Sequence, residues 1–506
     1  MNKLLFTLAA ILWLLPGSTF AQKQKQQNYV LIQASDTEAD IIRKAANVVP
    51  SPRQLKWQQL ELTAFFHLGV NSFTNREWGT GKEDPKIFNP TNLDARQWVR
   101  EAKAAGFKLV ILTAKHHDGF CLWPTATTDH SVKSSPWKNG QGDVMRELAE
   151  ACREYGMGLG VYLSPWDMNS PVYGTEAYND LFVAQLTELL TQYGPIEEVW
   201  FDGANGEGPN GKKQIYDFER WYQHIRKLQP AATIAVMGPD VRWVGTETGY
   251  GRESEWSVVP ANNLDQTAIA GNSQKADAFK PQGNMKGADL GSREKIKGAK
   301  GLIWYPAETD VSIRPGWFYH PAEDNKVKTP EKLLDIYFSS VGRNGVLLLN
   351  LPPDTRGLLH EKDVENLREW KRLRDATFQH NLATGAKIKL ASGKRKKALL
   401  DGKYATYFTT KSAKDTYAQI ELRLPQEATF DVLLLQENIS MGQRIEQFVL
   451  EYWDGQTWKK AAEGTTVGYK RLLRFEPVKA SRVRLRILSS RLNPTLSEIG
   501  LFKQAQ

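Results

Sequence analysis

Between about residues 55 and 380 the chain alternates short, nearly unbroken apolar runs with segments of helical period, and this alternation restricts the fold more than any other feature. Leu62–His67, Lys108–Ala114, Leu159–Leu163, the run ending at Asp202, Thr233–Gly238 and Val346–Leu351 read as strands. Asp94–Gly106, Asp143–Gly156, Thr175–Tyr193, Lys213–Leu228, Pro330–Ser340 and Glu361–Phe378 read as the helices between and after them. A strand that is apolar on both faces must be covered on both faces, and a helix between consecutive strands makes them parallel. The region 240–300 is less regular, polar and glycine-rich; within it a sixth strand is expected near Glu255–Val259, and regular patterning returns with a seventh at Leu302–Pro306. Eight such units predict an α/β fold, a closed (β/α)8 barrel. An open doubly wound sheet is the alternative, but no glycine-rich phosphate loop follows the first strand.

The chain has 506 residues, too many for one ordinary core. From about residue 385 the helical period gives way to short alternating strands: Tyr404–Thr410, Tyr417–Leu422, Thr429–Leu435, Ile445–Tyr452, Lys470–Phe475 and Arg482–Ile487. A second, all-β sandwich domain is therefore expected over 385–506, after a barrel domain over 55–384 and a lead-in over 22–54. Residues 1–21 have the form of an export signal, with Lys3, an apolar stretch from Leu4 to Leu15, and Thr19-Phe20-Ala21 as a small-x-small cleavage site. That stretch is too short to span a bilayer, which predicts an exported protein, periplasmic or secreted, with no transmembrane segment.

Cys121 and Cys152 are too few for a disulfide framework and are expected as buried thiols. The net charge of +9 comes from dispersed lysines and arginines without interleaved aromatics, which argues against a nucleic-acid partner. The 16 tryptophans and 17 tyrosines, many of them in loops, are suited instead to stacking on sugar C–H faces.

In a barrel the C-terminal ends of the strands meet at one mouth, so the polar residues found there belong to one site. Here they are His67 and Asn71; His116, His117 and Asp118; Tyr162, Trp166 and Asp167; and Asp202, with Glu247, Trp304 and Glu308 further on. Asp202 ends an apolar strand and is followed by Gly203, which leaves room for a ligand at the carboxylate. Carboxylates among neutral hydrogen-bonding groups and aromatics suit hydrolysis of a sugar bond, where one acid acts at the anomeric carbon and another protonates the leaving oxygen. Paired histidines could alternatively bind a metal, but the His116-His117-Asp118 spacing fits no metal motif, so no metal and no cofactor is expected. Glu247 lies 45 residues beyond Asp202, enough to reach the neighbouring rim, and Glu253 and Glu255 are the alternative acids.

Phe66-His67-Leu68-Gly69, Lys115-His116-His117-Asp118-Gly119-Phe120 with Trp123, Trp200-Phe201-Asp202-Gly203, and Arg242-Trp243-Val244-Gly245 with Glu247 resemble glycoside hydrolase family 29, the α-L-fucosidases. The resemblance implies a retaining mechanism with Asp202 as nucleophile and Glu247 as acid/base. It also implies that His67, His116, His117 and Tyr162 surround the fucose, that Trp304 lines its methyl group, and that Glu77 with Trp78 stands near a further family position. Pro306-Ala307-Glu308-Thr309-Asp310 and Arg314-Pro315-Gly316-Trp317 look like the branch that removes α-1,3/1,4-linked fucose from Lewis-type glycans, with Glu308 and Trp317 meeting the neighbouring sugar. The implied partners are fucosylated oligosaccharides or glycoconjugates; a broader specificity including α-1,2 linkages and a non-catalytic glycan-binding barrel are the competing readings. The C-terminal domain resembles discoidin-like sandwiches, whose role is either to bind carbohydrate or to buttress the barrel.

Overall fold

The structure, a computed structural model, describes residues 27–261 and 287–505, so the export signal expected at 1–21 lies outside the described residues. Eight parallel strands form the first domain: β1 (Leu62–Phe66), β2 (Leu109–Lys115), β3 (Gly158–Leu163), β4 (Glu198–Phe201), β5 (Thr233–Val236), β6 (Arg242–Trp243), β7 (Ala307–Ser312) and β8 (Val346–Asn350). They run in the order β5-β4-β3-β2-β1-β8-β7-β6, and a parallel bridge between Ala235 and Val241 brings β6 against β5 and nearly closes the ring. Phe65, Leu109, Ile111, Tyr162, Trp200 and Leu348 fill its interior. The outward-facing residues pack under the helices in a larger core that includes Trp98, Leu148, Phe182 and Trp221.

Capping chemistry sets the helix ends. Asp94 accepts the amide of Gln97 at the start of helix Ala95–Ala105, and Gly106 ends it in the left-handed region at φ 96°, a conformation without cost for glycine. Asp143 likewise accepts the amide of Arg146 at the start of Val144–Tyr155. Cys121 and Cys152 are buried free thiols. Among the described residues no helix is long and apolar enough to cross a membrane.

Two expected strands belong elsewhere. Gly301–Trp304 is the central strand of a three-stranded antiparallel sheet outside the barrel, with Val258–Pro260 on one side and Tyr29–Leu31 on the other. Both runs are apolar because they pack against Ile41, Ala45 and Ile439. The true sixth strand is only two residues long, too short for any periodicity, and the seventh, Ala-Glu-Thr-Asp-Val-Ser, is polar although fully buried.

The C-terminal domain is an antiparallel sandwich. Ala418–Glu437 and Arg471–Ser490 each run for 20 residues and bend at shifts of register, so pairs of strands expected as separate are halves of one strand. Trp458–Gly464 and Thr495–Phe502 are additional strands. Its own core includes Phe430, Leu433, Phe448, Leu485 and Ile499.

Candidate active site

A cavity of about 330 Å³ opens at the C-terminal mouth of the barrel. Its floor is aromatic. Trp200, near the end of β4, stacks on Tyr162 of β3 with ring centroids 5.1 Å apart, and the edge of Phe65 meets both. Alternation along β4 turns Trp200 inward, while Asp202, just past the strand, reaches the cavity with its side chain 28% exposed. One Asp202 oxygen accepts the amide of Ala204 at 2.7 Å, and the other accepts the Tyr162 hydroxyl at 3.1 Å. His117 Nε2 stands 3.9 Å from the second oxygen.

Three imidazoles form one wall. His67 Nδ1 pairs with Asn350 Oδ1 at 2.8 Å, His117 Nδ1 with Ser164 Oγ at 2.8 Å, and the rings of His116 and His117 lie 4.0 Å apart. Burial lowers the pKa of each, that of His67 to about 3, so all three are neutral near pH 7. His67 and His117 donate their N–H from Nδ1 to Asn350 and to Ser164, whose own hydroxyl donates to the Trp166 carbonyl, which leaves their Nε2 as acceptors for hydroxyl groups. Among the described residues no three His, Cys, Asp or Glu side chains are arranged to hold a metal ion. Asp118 and Asp167 turn away from the opening. Asp118 accepts the Phe120 amide and the Asn71 side chain, with burial raising its pKa to about 7, and Asp167 pairs with buried Lys115.

Glu247, on the short loop after β6, lines the same cavity as Asp202. The residue is exposed at the loop tip, yet its carboxyl end lines the cavity and accepts the Trp317 indole N–H at 3.3 Å. Loss of hydration raises its pKa, the carboxylates of Asp202 and Glu77 push it the same way, and the indole N–H opposes them. The alternative acids lie outside the cavity: Glu255 is buried against Arg242 and Arg252, and Glu253 bonds Arg343 and Arg471.

The remaining candidates separate clearly. Trp78 is 52% exposed at the rim and meets the rings of His117 and Trp166 edge-on. Trp317 lines the cavity, and Glu77 braces it from behind by accepting the amides of Trp317 and Phe318 and bonding His320. Trp304 and Glu308 require correction. Trp304 is fully buried in the outer three-stranded sheet, donating to Gln58, and does not reach the cavity, because its strand is not a barrel strand. Glu308, also fully buried, sits low in β7, below the cavity floor, and accepts the Trp200 indole N–H at 2.6 Å. Trp243 and Asp310 line the cavity joined by a 2.7 Å hydrogen bond, a pair that the strand-end reading passed over although both fall inside motifs it quoted.

Known proteins resemble this chain along most of its length. The family model for Alpha-L-fucosidase matches residues 57–372, and that for the F5/8 type C domain matches 383–499. Alpha-L-fucosidase 1 of Arabidopsis thaliana is 44% identical over 466 residues, which are 90% of this chain and 87% of that protein. The crystal structure of SpGH29 is similar with a TM-score of 0.81 at 40% identity, over 90% of this chain and 98% of that one. A Ruminococcus gnavus GH29 fucosidase in complex with fucose is similar with a TM-score of 0.79 at 33% identity, over 90% of this chain and 95% of that one. With the matched barrel, its strand-end carboxylate and the attached sandwich all on one chain, the protein belongs to the α-L-fucosidases of glycoside hydrolase family 29.

Proposed function

We propose that the protein is an exported, retaining exo-α-L-fucosidase that removes α-1,3/1,4-linked fucose from branched, Lewis-type glycans. The observation that carries the mechanism is that Asp202 and Glu247 line one cavity in unlike surroundings. Asp202 is aimed by the Tyr162 hydroxyl and the Ala204 amide. Glu247 is pushed toward its protonated form by loss of hydration and by the nearby Asp202 and Glu77 carboxylates, against the pull of the Trp317 indole N–H. In the first step an Asp202 oxygen attacks the anomeric carbon as the glycosidic bond breaks, and the leaving oxygen takes its proton from Glu247. In the second, Glu247 takes a proton from water, whose oxygen attacks the same carbon and releases the Asp202 carboxylate. A retaining pair of this kind stands about 5–5.5 Å apart, with no room for water between the acids until the leaving group has gone. The neutral imidazoles of His67, His116 and His117 supply hydrogen bonds to the fucose hydroxyls.

The linkage reading rests on the rim. Trp78, Trp243 and Trp317 surround the opening, a broad aromatic border suited to a second sugar beside the fucose. The resemblance of the 306–317 segment to the branch-specific enzymes points the same way, through Trp317 rather than the buried Glu308. Export rests on the pattern of residues 1–21. Purified protein incubated with a Lewis trisaccharide, 2'-fucosyllactose and an aryl fucoside should release free fucose fastest from the trisaccharide; faster release from 2'-fucosyllactose would overturn the linkage assignment. Recovery of the expressed protein outside the cytoplasm with Gln22 as its first residue tests export.

A further inference from the structure

The C-terminal sandwich reaches into the frame of the loop that carries Glu247. Gln443, fully buried in the sandwich, uses both ends of its amide on the barrel domain: its oxygen accepts the Ser257 N–H at 2.7 Å, and its nitrogen donates to the Glu255 carbonyl at 2.9 Å. This is the pattern of one rung of a β-ladder, supplied by a side chain. Two more sandwich residues hold the same segment, Thr465 and Arg471, which donate to the Glu253 carbonyl at 2.9 and 2.7 Å. The segment so held aims the Glu255 carboxylate at Arg242, the first residue of β6, and at Arg252. Both members of the Arg242–Glu255 pair are about 1% exposed, so their position is set by the backbone that presents them. Between Arg242 and Arg252 the chain is pinned by Val244 N–H to the Glu308 carbonyl and by Gly249 N–H to that of Asp310, and Glu247 sits on the short span between those pins.

We propose that Gln443 is a positioning residue for the acid/base, supplied by the second domain, and that the sandwich acts in catalysis by fixing the loop that bears Glu247. The proposal rests on the reading of Glu247 as the acid/base. A buried amide with both ends satisfied is costly to replace, and loss of its grip frees Glu255 and, through Arg242, the stem of the loop. Displacement of a general acid affects only substrates whose leaving group needs a proton, whereas general loosening of the fold affects all substrates alike.

The test is kcat/KM of the full-length chain, which reports the step that forms the glycosyl-enzyme, for a fucosyl oligosaccharide the wild type turns over and for an aryl fucoside with a good leaving group. Gln443→Leu should lose about 10- to 100-fold on the oligosaccharide and less than about threefold on the aryl fucoside. Thr465→Val, a milder change to the same grip, should show a smaller loss of the same selectivity and decides the matter if Gln443→Leu does not fold. Equal losses on both substrates, or none on either, overturn the proposal. Glu247→Gln is the control. If it shows the leaving-group selectivity and the sandwich variants do not, only the positioning role falls; if it does not, the acid/base reading falls and the positioning role with it.

Discussion

Asp202 and Glu247 are both carboxylates, and their neighbours divide the work between them. Asp202 receives hydrogen bonds from Tyr162 and Ala204. Asp202→Ala should therefore lose at least ~10³-fold in turnover while still folding, since no packed apolar group is removed; near-normal activity would falsify the nucleophile assignment. Glu247 acts as an acid only while protonated, so activity falls as pH rises through its pKa. The Trp317 indole N–H favours the ionised form and holds that pKa down. Trp317→Phe should move the alkaline limb of the kcat/KM profile to higher pH, and a limb that stays or moves down argues against Glu247 as the titrating group. At this scale much was legible in the sequence. Asp202, His67, His116, His117 and Tyr162 could be read because each lies at or just past the C-terminal end of a recognisable strand. Asp310 could not, because it lies within a strand too polar to be seen as one.

The element that departs most from expectation is β7, where Glu308 is buried beneath Trp200. Glu198 of β4 is buried in the same interior, with Trp57 donating to it at 3.0 Å. Burial raises the pKa of Glu198 to about 7 and that of Glu308 well above the usual range, and their mutual repulsion adds to the rise for Glu308. An acid whose pKa is raised by folding keeps its contribution to stability at low pH and loses it as pH climbs from the unfolded value through the folded one. Glu308→Gln keeps an acceptor for Trp200 and removes that loss. Its unfolding free energy should match the wild type at pH 5 and exceed it at pH 8, by an amount on the order of 1 kcal/mol, read from denaturant unfolding at the two pH values. A variant less stable than wild type at pH 8 would show that the two acids do not repel. Because Trp200 stacks on Tyr162, and Tyr162 bonds Asp202, this buried pair underlies the catalytic floor rather than meeting the neighbouring sugar.

At the scale of the molecule the two domains share one frame. Lys470 of the sandwich pairs with Glu61 just before β1 at 2.6 Å, Arg491 lies over the Trp256 ring at 3.6 Å, and Gly442 faces the backbone of residues 46–48. Gly442 has φ 94°, and a Cβ there would meet the Ala46 carbonyl oxygen at 2.2 Å. Gly442→Ala should destabilise the protein by about 1–3 kcal/mol through backbone strain alone, before the clash is counted; an unchanged melting temperature would mean that the two segments do not touch as described. The sequence by itself determined the fold class, the order of helices and most barrel strands, and the residues at the strand ends, because hydrophobic period, capping side chains and terminal polar residues are properties of short segments. It could not determine that Trp304 belongs to an outer sheet, that a two-residue strand completes the barrel, or that Gln443 grips the segment beyond Glu247. Those depend on pairing between residues up to hundreds of positions apart, and whether an apolar run covers the barrel or another sheet is decided by the surface it meets, which only the tertiary structure supplies.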